Sequence, residues 1–94
     1  MTTTMTPEQK QELRYSIRAY LAERFPAAMT ARQIRHAQAR ELDFEIKEAD
    51  VTAALEYLAG MQPPQTVRNE SAMGALDVWQ ATQAGTRAWE RNEP

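Results

Sequence analysis

The chain has 94 residues, which suits one domain, and its 43% hydrophobic and 26% charged residues are typical of a folded protein. It lacks cysteine, which excludes disulfides and thiolate chemistry, and it has no apolar run long enough to span a membrane. No secretory signal is visible at the N-terminus, so we expect a cytoplasmic protein. We predict that residues 1–5 are disordered and that residues 6–94 form a single domain.

The net charge of −2 is unevenly distributed along the chain. Residues 1–43 carry seven Lys and Arg against five Asp and Glu, whereas residues 44–94 carry four against eight. An anionic partner should therefore contact the N-terminal half.

The first helix is predicted over about residues 7–25. Thr6 and Gln9 form a capping box, and Pro7 occupies the first helical position. Pro26 ends the helix. Side chains expected to face the core recur at helical spacing, namely Leu13, Ile17, Tyr20, Leu21 and Phe25.

A second helix is predicted after Thr30, which forms another capping box with Gln33. Its inner side carries Ile34, Ala37, Gln38, Glu41 and Leu42. Its outer side carries Arg32, Arg35, His36, Ala39 and Arg40. Polar and apolar residues then alternate over 43–47, which predicts a short extended segment with Phe44 and Ile46 on one face.

The third helix, over about residues 47–60, has the clearest amphipathic pattern, with Gly60 as its C-terminal stop. Its predicted core residues are Val51, Ala54, Leu55, Leu58 and Met61. After Pro63 and Pro64 we predict, in order, a strand over 65–69, a turn over 70–74, a strand over 75–81, and a short helix from Thr82 to about Asn92.

Two segments resemble the winged helix-turn-helix superfamily. Val51-Thr-Ala-Ala54-Leu55-Glu-Tyr-Leu58 is similar to the core pattern of its third helix, and Trp79-Gln-Ala-Thr82-Gln-Ala-Gly85 to the passage from the second wing strand into a helix. The resemblance implies an α+β, mainly helical fold of three helices, a two-stranded wing and a C-terminal helix. The interval from Ile34 to Val51 is longer than usual for this fold, so extra residues are expected in the turn around 43–47.

The chemistry of catalysis is not evident in the sequence, and we predict no enzymatic activity, no cofactor and no metal site. His36 is the sole histidine, so the usual nitrogen and sulfur ligands cannot form a cluster. The carboxylates Glu45, Glu48 and Asp50 are more simply explained by their position at the start of a helix. No glycine-rich phosphate loop is present.

The third helix would enter the major groove in a DNA-binding member of this fold. Its predicted outer side, Ala49, Thr52, Ala53, Glu56 and Gly60, has no Lys or Arg, and residues 47–60 carry a net charge of −2. Because phosphate neutralisation supplies most nonspecific affinity for DNA, this helix would oppose its own docking.

One interpretation is a DNA-binding transcriptional regulator of bacterial or phage type. Its candidate contacts with double-stranded DNA are Arg14, Arg18, Arg32, Arg35, Arg40 and Arg68 on phosphates, and Thr52 on a base edge.

The alternative is a protein-protein interaction or dimerisation module that does not bind DNA through its third helix. Its candidate interface residues are Ala49, Ala53, Tyr57 and Gly60. Trp79 and Trp89 are assigned to the core, against the first helix, and homodimerisation is compatible with both interpretations.

Overall fold

A computed structural model describes the backbone of residues 5–70 and 77–91. Its elements are, in chain order, α1 (Pro7–Glu23), β1 (Met29–Thr30), α2 (Ala31–Glu41), α3 (Glu48–Ala59), β2 (Thr66–Glu70), β3 (Asp77–Ala81) and α4 (Gln83–Glu90). This is a mainly helical α+β fold of the winged helix-turn-helix class, with β2 and β3 as the wing. The predictions for residues 1–4, 71–76 and 92–94 lie outside the described residues.

The first two helices begin where the capping boxes predicted. Thr6 Oγ1 accepts a hydrogen bond from the backbone N–H of Gln9 at 3.1 Å, and the Gln9 side chain accepts one from the Thr6 N–H at 3.0 Å. Thr30 and Gln33 form the same reciprocal pair at 3.1 and 2.9 Å. Each box satisfies N–H groups that have no partner within their own helix. None of the described helices is long and apolar enough to cross a membrane.

The hydrophobic core lies where α1, α2 and α3 meet the sheet. The predicted inner face of α3 is confirmed, since Val51 and Leu55 are 0% exposed and Leu58 is 3% exposed. The other fully or nearly buried apolar side chains of this cluster are Leu13, Ile17, Leu21, Ile34, Ile46, Ala54, Trp79 and Ala81. Trp79 is thus a core residue as predicted, whereas Trp89 is half-buried. Burial of each large side chain stabilises the fold by about 1.5–3 kcal/mol.

The N-terminal region differs from the sequence prediction at both ends of α1. Met5, assigned to a disordered segment, is half-buried and packs against the core. At its other end α1 stops at Glu23, and Phe25 is 39% exposed rather than a core residue. The cause is Pro26, which prevents helical geometry in the residue before it, so the chain turns away from the core before Phe25.

The predicted extended segment over 43–47 is not part of the sheet, although the backbone is extended at Lys47, where φ is −112° and ψ is 161°. Ile46 is 5% exposed and Phe44 packs against the core, so the apolar pair is indeed anchored. The backbone, however, is used to begin a helix: the N–H of Lys47 donates to Asp50 Oδ2 at 2.9 Å at the start of α3.

The sheet has a third strand that the sequence did not predict. All pairs are antiparallel and the strand order is β1-β3-β2, so β3 is central. Trp79 of β3 pairs with Met29 of β1 on one side and with Arg68 of β2 on the other. Since Thr30 ends β1 and also caps α2, the sheet is joined to α2 without an intervening loop.

Gln65 links both the wing and α4 to the end of α3. Its N–H donates to the Leu58 carbonyl at 2.9 Å, and its carbonyl accepts from the Thr82 N–H at 3.2 Å. The Thr82 hydroxyl donates to the Pro64 carbonyl at 2.6 Å and accepts from the Gly85 N–H at 3.0 Å. We call these contacts, together with the close approach of Gly85 to Gln65, the Gln65 junction.

Candidate nucleic-acid interface

The outer face of α2 carries cations, as its sequence predicted. Arg32, His36 and Arg40 are exposed and Arg35 is half-buried, while Ile34 and Gln38 on the opposite side are buried. The helix is held against α1 by a hydrogen bond from the Ser16 hydroxyl to the Gln38 side-chain carbonyl. This packing directs the arginine-bearing face away from the core.

The two arginines of α1 have different environments. Arg14 is half-buried and its guanidinium lies over the Tyr57 ring, 4.1 Å from the centroid, so it joins α1 to α3 at the surface. Arg18 is 5% exposed, and its Nη1 donates to Gln65 Oε1 at 3.1 Å. The structure therefore places Arg18 inside the fold, where the chain around Gln65 covers it, and not on a face that a phosphate could reach.

Arg68 is the cation that the described part of the wing supplies. It is exposed on β2, an edge strand, and its guanidinium carbon lies 6.0 Å from the Trp79 ring centroid. Thus Arg68 is on the surface of the sheet, while Trp79 beneath it belongs to the core.

The outer face of α3 is small and acidic. Ala49, Ala53, Glu56 and Gly60 are exposed, and Thr52 at the edge of this face is half-buried. The helix contains three carboxylates, from Glu48, Asp50 and Glu56, and no Lys or Arg. The predicted base-contacting residue Thr52 is four residues from Glu48 and four from Glu56, so it lies one helical turn from a carboxylate on either side.

The four residues predicted for a protein interface are also at the surface. Ala49, Ala53 and Gly60 are exposed on the outer face of α3, and Tyr57 at its margin is 57% exposed. Beside Tyr57 a groove of about 220 Å³ separates α3 from the start of α1. Its lining combines apolar and charged side chains, namely Met5, Lys10, Leu13, Arg14, Asp50, Ala53, Ala54 and Tyr57.

Lys10 is a surface cation that the sequence analysis did not select. It is exposed and lines this groove together with Arg14, one helical turn further along α1. The spacing of four residues between two cations was a signal that could have identified the pair. Its position beside α3 depends on the packing of α1 against α3, two helices that are distant in sequence.

Within the described residues, no three His, Asp or Glu side chains are grouped closely enough to hold a metal ion.

Comparison with known proteins identifies the fold and no closer relationship. No family model and no curated protein matches the chain. Among solved structures, it is similar to a point mutant of ZitR from Lactococcus lactis, with a TM-score of 0.68 and 16% sequence identity. The similarity covers 98% of this chain but 56% of the ZitR chain, so this chain spans little more than half the length of its structural neighbour. At this identity the comparison supports the winged-helix architecture and does not assign a function.

Proposed function

We propose that this chain is the DNA-binding domain of a transcriptional regulator of bacterial or phage type. The observation that carries the proposal is the cationic outer face of α2 within a winged helix-turn-helix. In this motif the helix that precedes the recognition helix crosses the DNA backbone, so Arg32, Arg35 and Arg40 are suitably placed to contact phosphates.

Cations on other elements would flank the same duplex. With α3 in the major groove, Lys10 and Arg14 would flank the groove on the side of α1, and the wing strand β2 carries the exposed Arg68. The negative charge of α3 reduces the affinity: two unit charges 4 Å apart interact by about 1 kcal/mol in water and by more in a groove that excludes it. Affinity on this model comes from residues around α3, and α3 itself contributes selectivity.

The test is a salt titration of binding to a labelled duplex of random sequence, measured by fluorescence anisotropy. If five phosphates are neutralised, affinity should fall several-hundredfold between about 50 and 200 mM salt. Replacing both Arg32 and Arg40 with alanine should weaken binding and reduce the slope of log affinity against log salt by about 2.

A matched control is the double replacement of Arg87 and Arg91, two exposed arginines at the end of α4, which also removes two charges. That variant should keep most of the wild-type salt slope. Equal losses in the two double variants would mean that only net charge matters, and no binding by micromolar wild-type protein at low salt would exclude DNA as the partner.

A second candidate function is protein-protein interaction or dimerisation through α3. The supporting observation is that Tyr57 is more than half exposed next to Ala53, on a helix whose negative charge repels the phosphates of DNA. Tyrosine is a frequent anchor in interfaces, and a flat surface of small residues allows another chain to approach closely. Sedimentation of the wild type beside Ala53→Glu tests this idea for self-association: a dimer that becomes a monomer supports it, and equal masses contradict it.

A further inference from the structure

Glu56 occupies a distinctive place on the outer face of α3. At 3.6 residues per turn it lies within about 45° of the direction opposite the buried residues Val51, Leu55 and Leu58. Its helical neighbours one turn away are small: Ala53 before it and Gly60 after it, both exposed. In the described part of the chain Glu56 makes no ion pair. A single carboxylate therefore projects from the middle of an otherwise small and uncharged surface.

The hydrogen-bonding capacity of a carboxylate restricts which base it can contact. An ionised carboxylate is only an acceptor. In the major groove guanine presents the acceptors N7 and O6, and thymine presents the acceptor O4, so both repel it. Cytosine presents the N4 amino donor. Adenine presents the N6 amino donor beside the acceptor N7, and N7 repels the second carboxylate oxygen. Cytosine is thus the base that a carboxylate contacts most favourably.

We propose that Glu56 selects the DNA sequence by accepting a hydrogen bond from a cytosine N4 amino group. This inference rests on the proposed DNA-binding function and identifies the base that the domain prefers. The absence of bulky side chains at Ala53 and Gly60 lets α3 sit deep enough for the carboxylate to reach a base edge. A carboxylate opposite guanine or thymine remains desolvated and without a hydrogen bond, and one opposite adenine is repelled by N7. Sites that lack the cytosine are therefore bound less tightly.

The matching substitution is Glu56→Gln. A glutamine amide offers one acceptor and one donor, the combination that binds adenine N7 and N6. The substitution keeps the length of the side chain and removes one negative charge, so the variant should bind random duplexes more tightly than the wild type. Glu48→Gln is the control, because it removes the same charge from an exposed residue of the same helix. Glu48 lies about two turns from Glu56, at the N-terminus of α3.

The experiment is enrichment of preferred sites from a randomised duplex library, carried out with the wild type and both variants after melting curves show that all are folded. We expect one position that is cytosine for the wild type and for Glu48→Gln, with about tenfold discrimination, and that becomes adenine for Glu56→Gln. The same enriched sequence for the wild type and Glu56→Gln would overturn the inference. So would salt-dependent binding of the wild type without any base preference, a result that leaves the proposed function intact. Failure of the wild type to bind any duplex would instead refute the proposed function itself.

Discussion

Replacement of Gly85 by alanine tests the Gln65 junction. A Cβ atom at position 85 would lie 3.0 Å from the carbonyl carbon and 3.2 Å from the Cα of Gln65, and closer still to its carbonyl oxygen. All three are backbone atoms, so the conflict cannot be relieved by rotating a side chain. Either α4 or the chain before β2 must move.

The energetic cost follows from the contacts that such a movement disrupts. A displacement weakens the bonds from the Thr82 N–H to the Gln65 carbonyl and from the Thr82 hydroxyl to the Pro64 carbonyl, each worth about 1 kcal/mol. Overpacking adds about 1–3 kcal/mol. Glycine-to-alanine replacement in a helix normally stabilises by about 1 kcal/mol, which offsets part of this loss. We expect Gly85→Ala to reduce the free energy of unfolding by about 2–4 kcal/mol, or to lower Tm by roughly 10–20 °C.

Gly60→Ala is the matched control for this experiment. Its Cβ would meet the Glu56 and Tyr57 carbonyl oxygens at 3.5 and 3.6 Å, which are ordinary contacts, and φ at Gly60 is −85°, which suits alanine. This variant should be neutral or more stable by about 0.4–1 kcal/mol. Both are measured by urea and thermal unfolding followed by circular dichroism. A Gly85→Ala protein as stable as Gly60→Ala would refute the close approach of α4 to Gln65.

Two further variants test the core and the attachment of the wing. Leu55→Ala should lower the free energy of unfolding by about 2–5 kcal/mol, because Leu55 is fully buried. Tyr57→Ala, two residues away and mostly exposed, should lower it by less than about 1 kcal/mol. Similar losses for the two variants in urea unfolding would contradict the assigned inner face of α3. Thr66→Val keeps the shape of a side chain that is 1% exposed and removes its 2.9 Å hydrogen bond to the Leu55 carbonyl. We expect the free energy of unfolding to fall by about 1–3 kcal/mol in the same assay. An unchanged unfolding midpoint would mean that this bond does not stabilise the fold.

The helices were predictable because their signals are local. Thr6 with Gln9 and Thr30 with Gln33 specify where α1 and α2 begin, and both boxes are confirmed. The inner face of α3 follows from periodicity and is also confirmed at Val51, as at Leu55 and Leu58.

The parts that the sequence did not reveal depend on contacts between distant residues. β1 has two residues and becomes a strand only because Trp79, fifty residues later, pairs with Met29. Arginine is usually a surface residue, but Arg18 is buried and its hydrogen-bond acceptor, Gln65, lies 47 positions later in the chain. Lys10 and Arg14 line a groove whose other wall is α3, and the sequence does not show that these two helices pack together. In each case the missing information is which distant segment packs against the residue, and local spacing does not carry it.

The direct continuation of β1 into α2 fixes the distance between two cations that are far apart in sequence, Arg32 and Arg68. Met29, Trp79 and Arg68 form one row across three adjacent strands, which places the backbones of Met29 and Arg68 about 10 Å apart. Because Thr30 leads straight into the helix that carries Arg32, the separation between Arg32 and Arg68 is set by a stiff frame. Once a ligand binds one of these guanidinium groups, the frame holds the other close to a second site on the same ligand. The second contact then costs little conformational entropy. The rigidity of the sheet can therefore raise the affinity for a ligand that contacts both arginines, without any further contact.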